Sequence, residues 1–153
     1  MATKRKLSAS LEDYLEAIHE IALVKGAARP KDVADRLSVA NSSVTNALHG
    51  LVERELINHA SYDLISLTPK GVKVAEDIVR RHNVLKQFFV QVLALEKDIA
   101  EDCACKMEHF VPDRVMRRFV EFVKCHQQAE AGRITWVEGK GFMHRKPSQS
   151  KTA

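Results

Sequence analysis

Asn41-Ser42-Ser43-Val44-Thr45-Asn46-Ala47-Leu48-His49-Gly50-Leu51-Val52-Glu53-Arg54 carries two patterns at once. Val44, Ala47, Leu48, Leu51 and Val52 recur at helical spacing and make an inward stripe. Ser42, Ser43, Thr45, Asn46 and His49 are left facing outward, and Asn41 or Ser42 is placed to cap the helix. The outward set is short and polar, with no row of arginines. Such side chains suit entry into the major groove of DNA, where Asn pairs with adenine and Ser or Thr meets thymine methyls or phosphates. The alternative is a scaffold of the same shape that touches only proteins; the short polar set favours DNA.

Immediately upstream, Pro30 suits a first helical turn, and Val33, Ala34 and Leu37 form a short buried stripe, with Ser38-Val39-Ala40 as the turn between the two helices. Before them, Ser10 opens a helix with Glu12 and Asp13 in its first turn. Its apolar positions Leu11, Tyr14, Leu15, Ile18 and Ala22 hold a helical period up to Lys25-Gly26, where Gly26 is a natural stop. Downstream, Leu56-Ile57-Asn58-His59 and Leu64-Ile65-Ser66-Leu67, joined by Ala60-Ser61-Tyr62-Asp63, read as a hairpin. Helix, helix, turn, helix, hairpin is the order of a winged helix-turn-helix. Lys4, Arg5, Lys6, Arg29, Lys31, Arg36 and the wing are the cations available to neutralise phosphates.

From Thr68-Pro69-Lys70-Gly71 a long helix runs to about Leu93, followed by a helix from Glu96 to His109 and another from Asp113 to about Gln128. Val115, Met116, Phe119, Val120, Phe122 and Val123 give the last a broader apolar face than its neighbours need, which suggests a subunit interface. Past Gly132 the composition turns to Gly, Lys and Ser, and a flexible basic tail is expected. The chain is therefore read as mainly α: a winged helix-turn-helix over 1–71, a helical metal-binding and dimerisation domain over 72–131, and the tail over 132–153.

Within the second helix of that domain, Cys105, Glu108 and His109 stand at i, i+3 and i+4 and share one face. A thiol, a carboxylate and an imidazole aimed at one point are donors that a first-row transition metal accepts. Asp13 and Glu16, at i and i+3 of the first helix, and His82, mid-way along the long helix, are the candidates to complete the shell. Each has a bland reading as well: a core cysteine, a solvated face, a hydrogen-bonded core histidine.

The bulk numbers fit this outline. With 153 residues, 45% hydrophobic and 29% charged, the chain holds one ordinary domain or two small ones, and its net charge of +4 permits nucleic-acid binding without arguing for it. No run approaches the roughly 18 apolar residues of a membrane span. Met1-Ala2-Thr3-Lys4-Arg5-Lys6 has no apolar stretch behind it, so a cytoplasmic location is expected. In that compartment Cys103, Cys105 and Cys125 do not read as a disulfide framework.

With these residues in place the sequence resembles the diphtheria toxin repressor family of metal-dependent transcriptional regulators, particularly its shorter, manganese-transport-regulator branch. The likeness spans about residues 8–128 and rests on Glu12-Asp13-Tyr14-Leu15-Glu16, Ser42-Ser43-Val44-Thr45, Leu67-Thr68-Pro69-Lys70-Gly71, Arg81-His82 and Cys105-x-x-Glu108-His109. The resemblance implies DNA contact through Arg29, Lys31, Ser42, Ser43, Thr45, Asn46 and His49, and a metal held by Asp13, Glu16, His82, Cys105, Glu108 and His109. It further implies ligation by the Cys105 backbone carbonyl, and one or two metals per subunit, a pair being bridged by Glu16 or Glu108. Its manganese branch usually has a carboxylate where Cys105 stands, and its iron branch a methionine where Asp13 stands. The hybrid leans slightly toward Fe²⁺ over Mn²⁺, because thiolate shifts preference away from hard-donor ions. Where the iron branch's ancillary site has an acidic residue this chain has Lys86, which argues against a separate ancillary site.

The function expected is a metal-dependent DNA-binding regulator, not an enzyme. It would be a repressor of metal-homeostasis genes, acting as a homodimer on a near-palindromic duplex operator, with no membrane partner. One alternative is a thiol-based redox sensor using Cys103, Cys105 and Cys125, which the acidic Glu101, Asp102 and Glu108 oppose by raising thiol pKa. A remoter one is a small metal-dependent hydrolase, for which no dedicated base is evident.

Overall fold

A computed structural model of the chain describes residues 7–60, 64–129 and 134–144. It divides into two compact units, Met1–Val79 and Arg80–Ala153. Lys4, Arg5 and Lys6, the wing tip Ser61-Tyr62-Asp63, and the tail after His144 lie outside the described residues.

In the first unit, α1 (Ala9–Lys25) is capped by the Ser8 hydroxyl, which accepts from Leu11 N, and not by Ser10. The cap lies two residues early because only Ser8 is extended, the backbone a capping residue needs. Gly26 closes the helix at φ 83°, its N–H donating to Ala22 O. α2 (Pro30–Leu37) starts on its proline and ends at Ser38 in the left-handed region. α3 (Asn41–Val52) follows Ala40 with no side-chain cap; instead Thr45 Oγ1 donates back to Asn41 O at 3.1 Å. Neither Asn41 nor Ser42 caps because both are already helical. Val52, expected to face inward, is exposed at the C-terminal end of α3.

β1 (Ile57–Ala60) pairs antiparallel with β2 (Leu64–Leu67), from Ile57 opposite Leu67 to Ala60 opposite Leu64. Ala28 adds a bridge to Ile65, its N–H donating to Ile65 O at 3.0 Å and its carbonyl accepting from Ile65 N at 2.8 Å. The wing is thereby tied to the connection that leads into α2. Leu15, Ile18, Val33, Val44, Leu51 and Ile65 meet in one core, which also takes in Ala75 and Ile78 of α4 (Pro69–Gln91). Those α4 residues pack into the first core, and the first unit runs on to Val79.

Thr68 carries the joint between wing and α4. Its hydroxyl donates to Glu55 O at 2.7 Å and accepts from Gly71 N at 3.0 Å, while its own N–H donates to Leu56 O at 3.0 Å. Lys70 Nζ donates to Arg54 O at 2.6 Å. These bonds draw α4 so close that a Cβ built on Gly71 would stand 1.8 Å from Leu56 O.

The second unit begins inside α4 and continues through α5 (Lys97–Met107) and α6 (Asp113–Gln128). Leu85, Phe89, Ala100, Ala104, Val111 and Met116 form its core. Phe88 sits 4.6 Å from Phe119 and 5.9 Å from Phe122, centroid to centroid. Val115 and Phe122 of α6 stay exposed, as the breadth of its apolar pattern implied, whereas Met116 and Val123 are buried; Ile99 and Phe110 add exposed apolar surface outside α6. Part of the segment expected to be flexible is ordered: β3 (Ile134–Val137) pairs with β4 (Gly141–His144). Thr135, Trp136 and Val137 favour strand, Gly139 supplies φ 74° at the turn, and Trp136 stacks edge-on to Phe142 at 5.1 Å.

Gly71→Ala should therefore displace α4 from Leu56 and destabilise the full chain by roughly 2–4 kcal/mol in equilibrium denaturation, a backbone oxygen being unable to swing aside. An unchanged midpoint would show that the helix shifts freely.

Candidate metal centre and nucleic-acid interface

α4 and α5 set the geometry of the second unit's polar cluster. His82 lies mid-way along α4, and Cys105 in the last turn of α5; Glu108 is the residue that ends α5, and its αR backbone carries the helical spacing on to His109. The expected i, i+3, i+4 face therefore forms, although the helix proper stops at Met107. Glu108 is 1% exposed, and its carboxylate is met from two sides: Oε2 is 2.7 Å from His82 Nδ1 and Oε1 is 3.3 Å from His109 Nε2. Cys105 Sγ approaches His82 Nδ1 to 3.8 Å. Burying a carboxylate without partners costs several kcal/mol. Here the two imidazoles supply the partners.

Sequence reasoning missed two members of this cluster. Glu101, one turn before Cys105 on α5, places Oε1 2.9 Å from His82 Nε2 and pairs through Oε2 with Lys86. The Lys86 ammonium holds the Glu101 carboxyl below the usual carboxylate range, with His82 adding to the effect. Its spacing of four from Cys105 was the available signal. Arg81 is the second: buried beside His82, it donates from Nε to Glu108 O at 2.8 Å, from a terminal nitrogen to Val111 O, and from the other to Asp113 Oδ1 at 2.7 Å. One guanidinium thus ties the turn that bears Glu108 and His109 to the start of α6.

The donor chemistry fits a divalent transition ion. Ligand atoms of His82, Glu101 and Cys105 all lie within 4.8 Å of one another. Donors at about 2.0–2.3 Å from a shared ion are at most about 4.6 Å apart, so small side-chain rotations suffice. Asp13 and Glu16 belong to the first unit, on the face of α1 next to buried Tyr14 and Leu15; Asp13 is exposed and Glu16 half-buried.

In the first unit, Arg29, Lys31, Ser42, Ser43, Thr45, Asn46 and His49 are all exposed. Thr45 spends its hydroxyl hydrogen on Asn41 O, leaving its methyl and lone pairs for a partner. Lys25 and Asp32 pair at 2.6 Å, and Arg36 pairs with Glu20, so Arg36 serves α1 and α2 as well as any phosphate.

Comparison with known proteins finds a DNA-binding match followed along the chain by a metal-binding one. Residues 6–64 match the family model described as iron dependent repressor, N-terminal DNA binding domain, and residues 68–136 match iron dependent repressor, metal binding and dimerisation domain. A helix-turn-helix-type transcriptional regulator of Methanocaldococcus jannaschii is 35% identical over 77% of this chain and 95% of its own length. The helix-turn-helix-type transcriptional regulator MntR of Geobacillus thermodenitrificans is 36% identical over 79% of this chain and 85% of its own. A manganese-dependent transcriptional repressor solved in complex with manganese superposes at TM-score 0.65 with 27% identity, covering 90% of this chain. This chain spans 63% of that structure's length.

Replacing Arg81 by Met should strand two carbonyls and free the turn at 108–113, costing about 2–4 kcal/mol in equilibrium denaturation and speeding amide exchange there, with Arg81→Lys only partly restoring both. Native exchange in the Met variant would refute the clamp.

Proposed function

The chain belongs to the iron-dependent repressor family of metal-dependent transcriptional regulators, and on that premise we propose that it represses metal-homeostasis genes with a divalent ion as co-repressor. The observation that carries this reading is the buried Glu108 carboxylate set between His82 and His109, with the Cys105 thiol alongside. A purely structural core has no need of two imidazoles closed on a buried carboxylate beside an exposed thiol.

His82, Cys105, Glu108 and His109 are the donors proposed from the second unit, and Asp13 and Glu16 from α1 complete the set. A bound divalent ion supplies positive charge to a pocket of carboxylates and removes their mutual repulsion. Asp13 and Glu16 share α1 with the core on which α3 packs, so whatever holds those two carboxylates bears on the DNA-reading unit. Such binding shifts the population only through its preference for the DNA-competent arrangement. Ser42, Ser43, Asn46 and His49 then read base edges and phosphates, with Arg29 and Lys31 on the backbone. As a homodimer the protein presents two such helices to a near-palindrome. Thiolate at 105 tips the preference slightly toward Fe²⁺; the carboxylates, and the manganese held by a solved relative, keep Mn²⁺ as the second reading.

Selection from a random duplex pool with Mn²⁺, and anaerobically with Fe²⁺, should enrich a near-palindrome. Anisotropy on the selected duplex should then show affinity falling about 5–150-fold on chelation. Equal affinity with and without chelator would refute the proposal, and binding that follows peroxide instead would favour the redox alternative.

Cys105→Glu should move the preference toward Mn²⁺ and blunt the response to Zn²⁺ in parallel titrations. Identical preferences would show that the thiol is not a ligand.

A further inference from the structure

Glu101 stands between His82 and Lys86 without belonging to the expected donor set. One oxygen faces His82 Nε2 at 2.9 Å, and the other is held by Lys86, one turn along α4 from His82. Each ring nitrogen of His82 thus faces a carboxylate, Nε2 that of Glu101 and Nδ1 that of Glu108. An ion bound among the Glu108 and Cys105 donors needs a bare nitrogen lone pair and takes it from Nδ1, which leaves the hydrogen on Nε2, facing Glu101. A neutral imidazole has one N–H; with that hydrogen on Nε2, the lone pair sits on Nδ1. Nδ1 is the nitrogen that faces Glu108 Oε2 at 2.7 Å and Cys105 Sγ at 3.8 Å.

We propose that Glu101, steadied by Lys86, is a positioning residue that accepts the His82 Nε2 hydrogen and so presents Nδ1 to the Glu108 and Cys105 side as the metal-binding nitrogen. This rests on the reading that a divalent ion binds on that side. Carboxylates set behind a ligating histidine in this way fix ring orientation and strengthen the donor. Glu101 is close enough to His82 and Cys105 to be a ligand itself. The ammonium on its second oxygen opposes that role, because a metal ion there would sit beside a fixed positive charge. Lys86 therefore does more than displace an ancillary site: it commits Glu101 to the histidine.

The test uses the full chain loaded with Zn²⁺, read by long-range proton–nitrogen correlation at His82 and by chelator competition, with Co²⁺ absorption as a probe of coordination. Zn²⁺-loaded parent protein should show the Nε2–H form with the metal on Nδ1. Glu101→Ala should weaken Zn²⁺ binding about 10–100-fold and release the tautomer, whereas Glu101→Gln, whose amide oxygen still accepts, should recover most of both. Lys86→Met should fall between them, and the Co²⁺ spectrum should keep its shape in Glu101→Gln. An Nδ1–H tautomer in the loaded parent, parental affinity in Glu101→Ala, or a changed Co²⁺ coordination number in Glu101→Gln would each overturn the proposal. His82→Ala and Cys105→Ser separate the two levels. If neither weakens Zn²⁺, the metal reading itself fails; if both do and Glu101→Ala does not, only the positioning role falls.

Discussion

A carboxylate nearly sealed from water is the constraint on which the second unit depends. Glu108 cannot sit at 1% exposure unless its charge is met, and His82 and His109 meet it from opposite oxygens. Both imidazoles must then be held, which fixes the register of α4 against the end of α5. Arg81 completes the arrangement from the backbone side by gathering Glu108 O and Val111 O. The apolar core of Leu85, Ala100, Ala104 and Met116 brings the helices together, but it is indifferent to small rotations. The polar cluster is not. Specificity of packing in this unit comes from hydrogen bonds, and stability from the aliphatic layer beneath them.

The same division explains what the sequence disclosed. Periodic apolar positions located every helix, and α6 was placed from Asp113 to Gln128, as observed. Turn chemistry was legible where one residue type dominates, as at Gly26 and Pro30. It failed at Ser10 and at Asn41, since several polar residues stand together near both helix starts and only backbone angles choose among them. The hairpin after Arg133 was hidden because lysines and glycines around it give a tail's composition, while the strands themselves are four residues each.

The polar cluster proposed to hold a metal was legible in part for a related reason. Cys105, Glu108 and His109 declare themselves by spacing on one helix, and His82 by its place mid-way along a long helical pattern. Glu101 and Arg81 act through contacts with other elements, and beyond the spacing of Glu101 from Cys105 no local pattern reports those. Lys86 was noticed only as a charge in the wrong place. Its meaning appears once Glu101 is seen on its far side.

The approach of α4 to the wing has a practical bearing on how this family diversifies. With Leu56 O where a methyl would be at position 71, and Thr68 bonded both to the turn that leads into β1 and to its own helix, the wing base and the start of α4 form one inseparable piece. A chimera that imports another regulator's reading head must cut well past this joint, inside the long helix. Recombination at the apparent loop would graft mismatched halves of a single hinge pin.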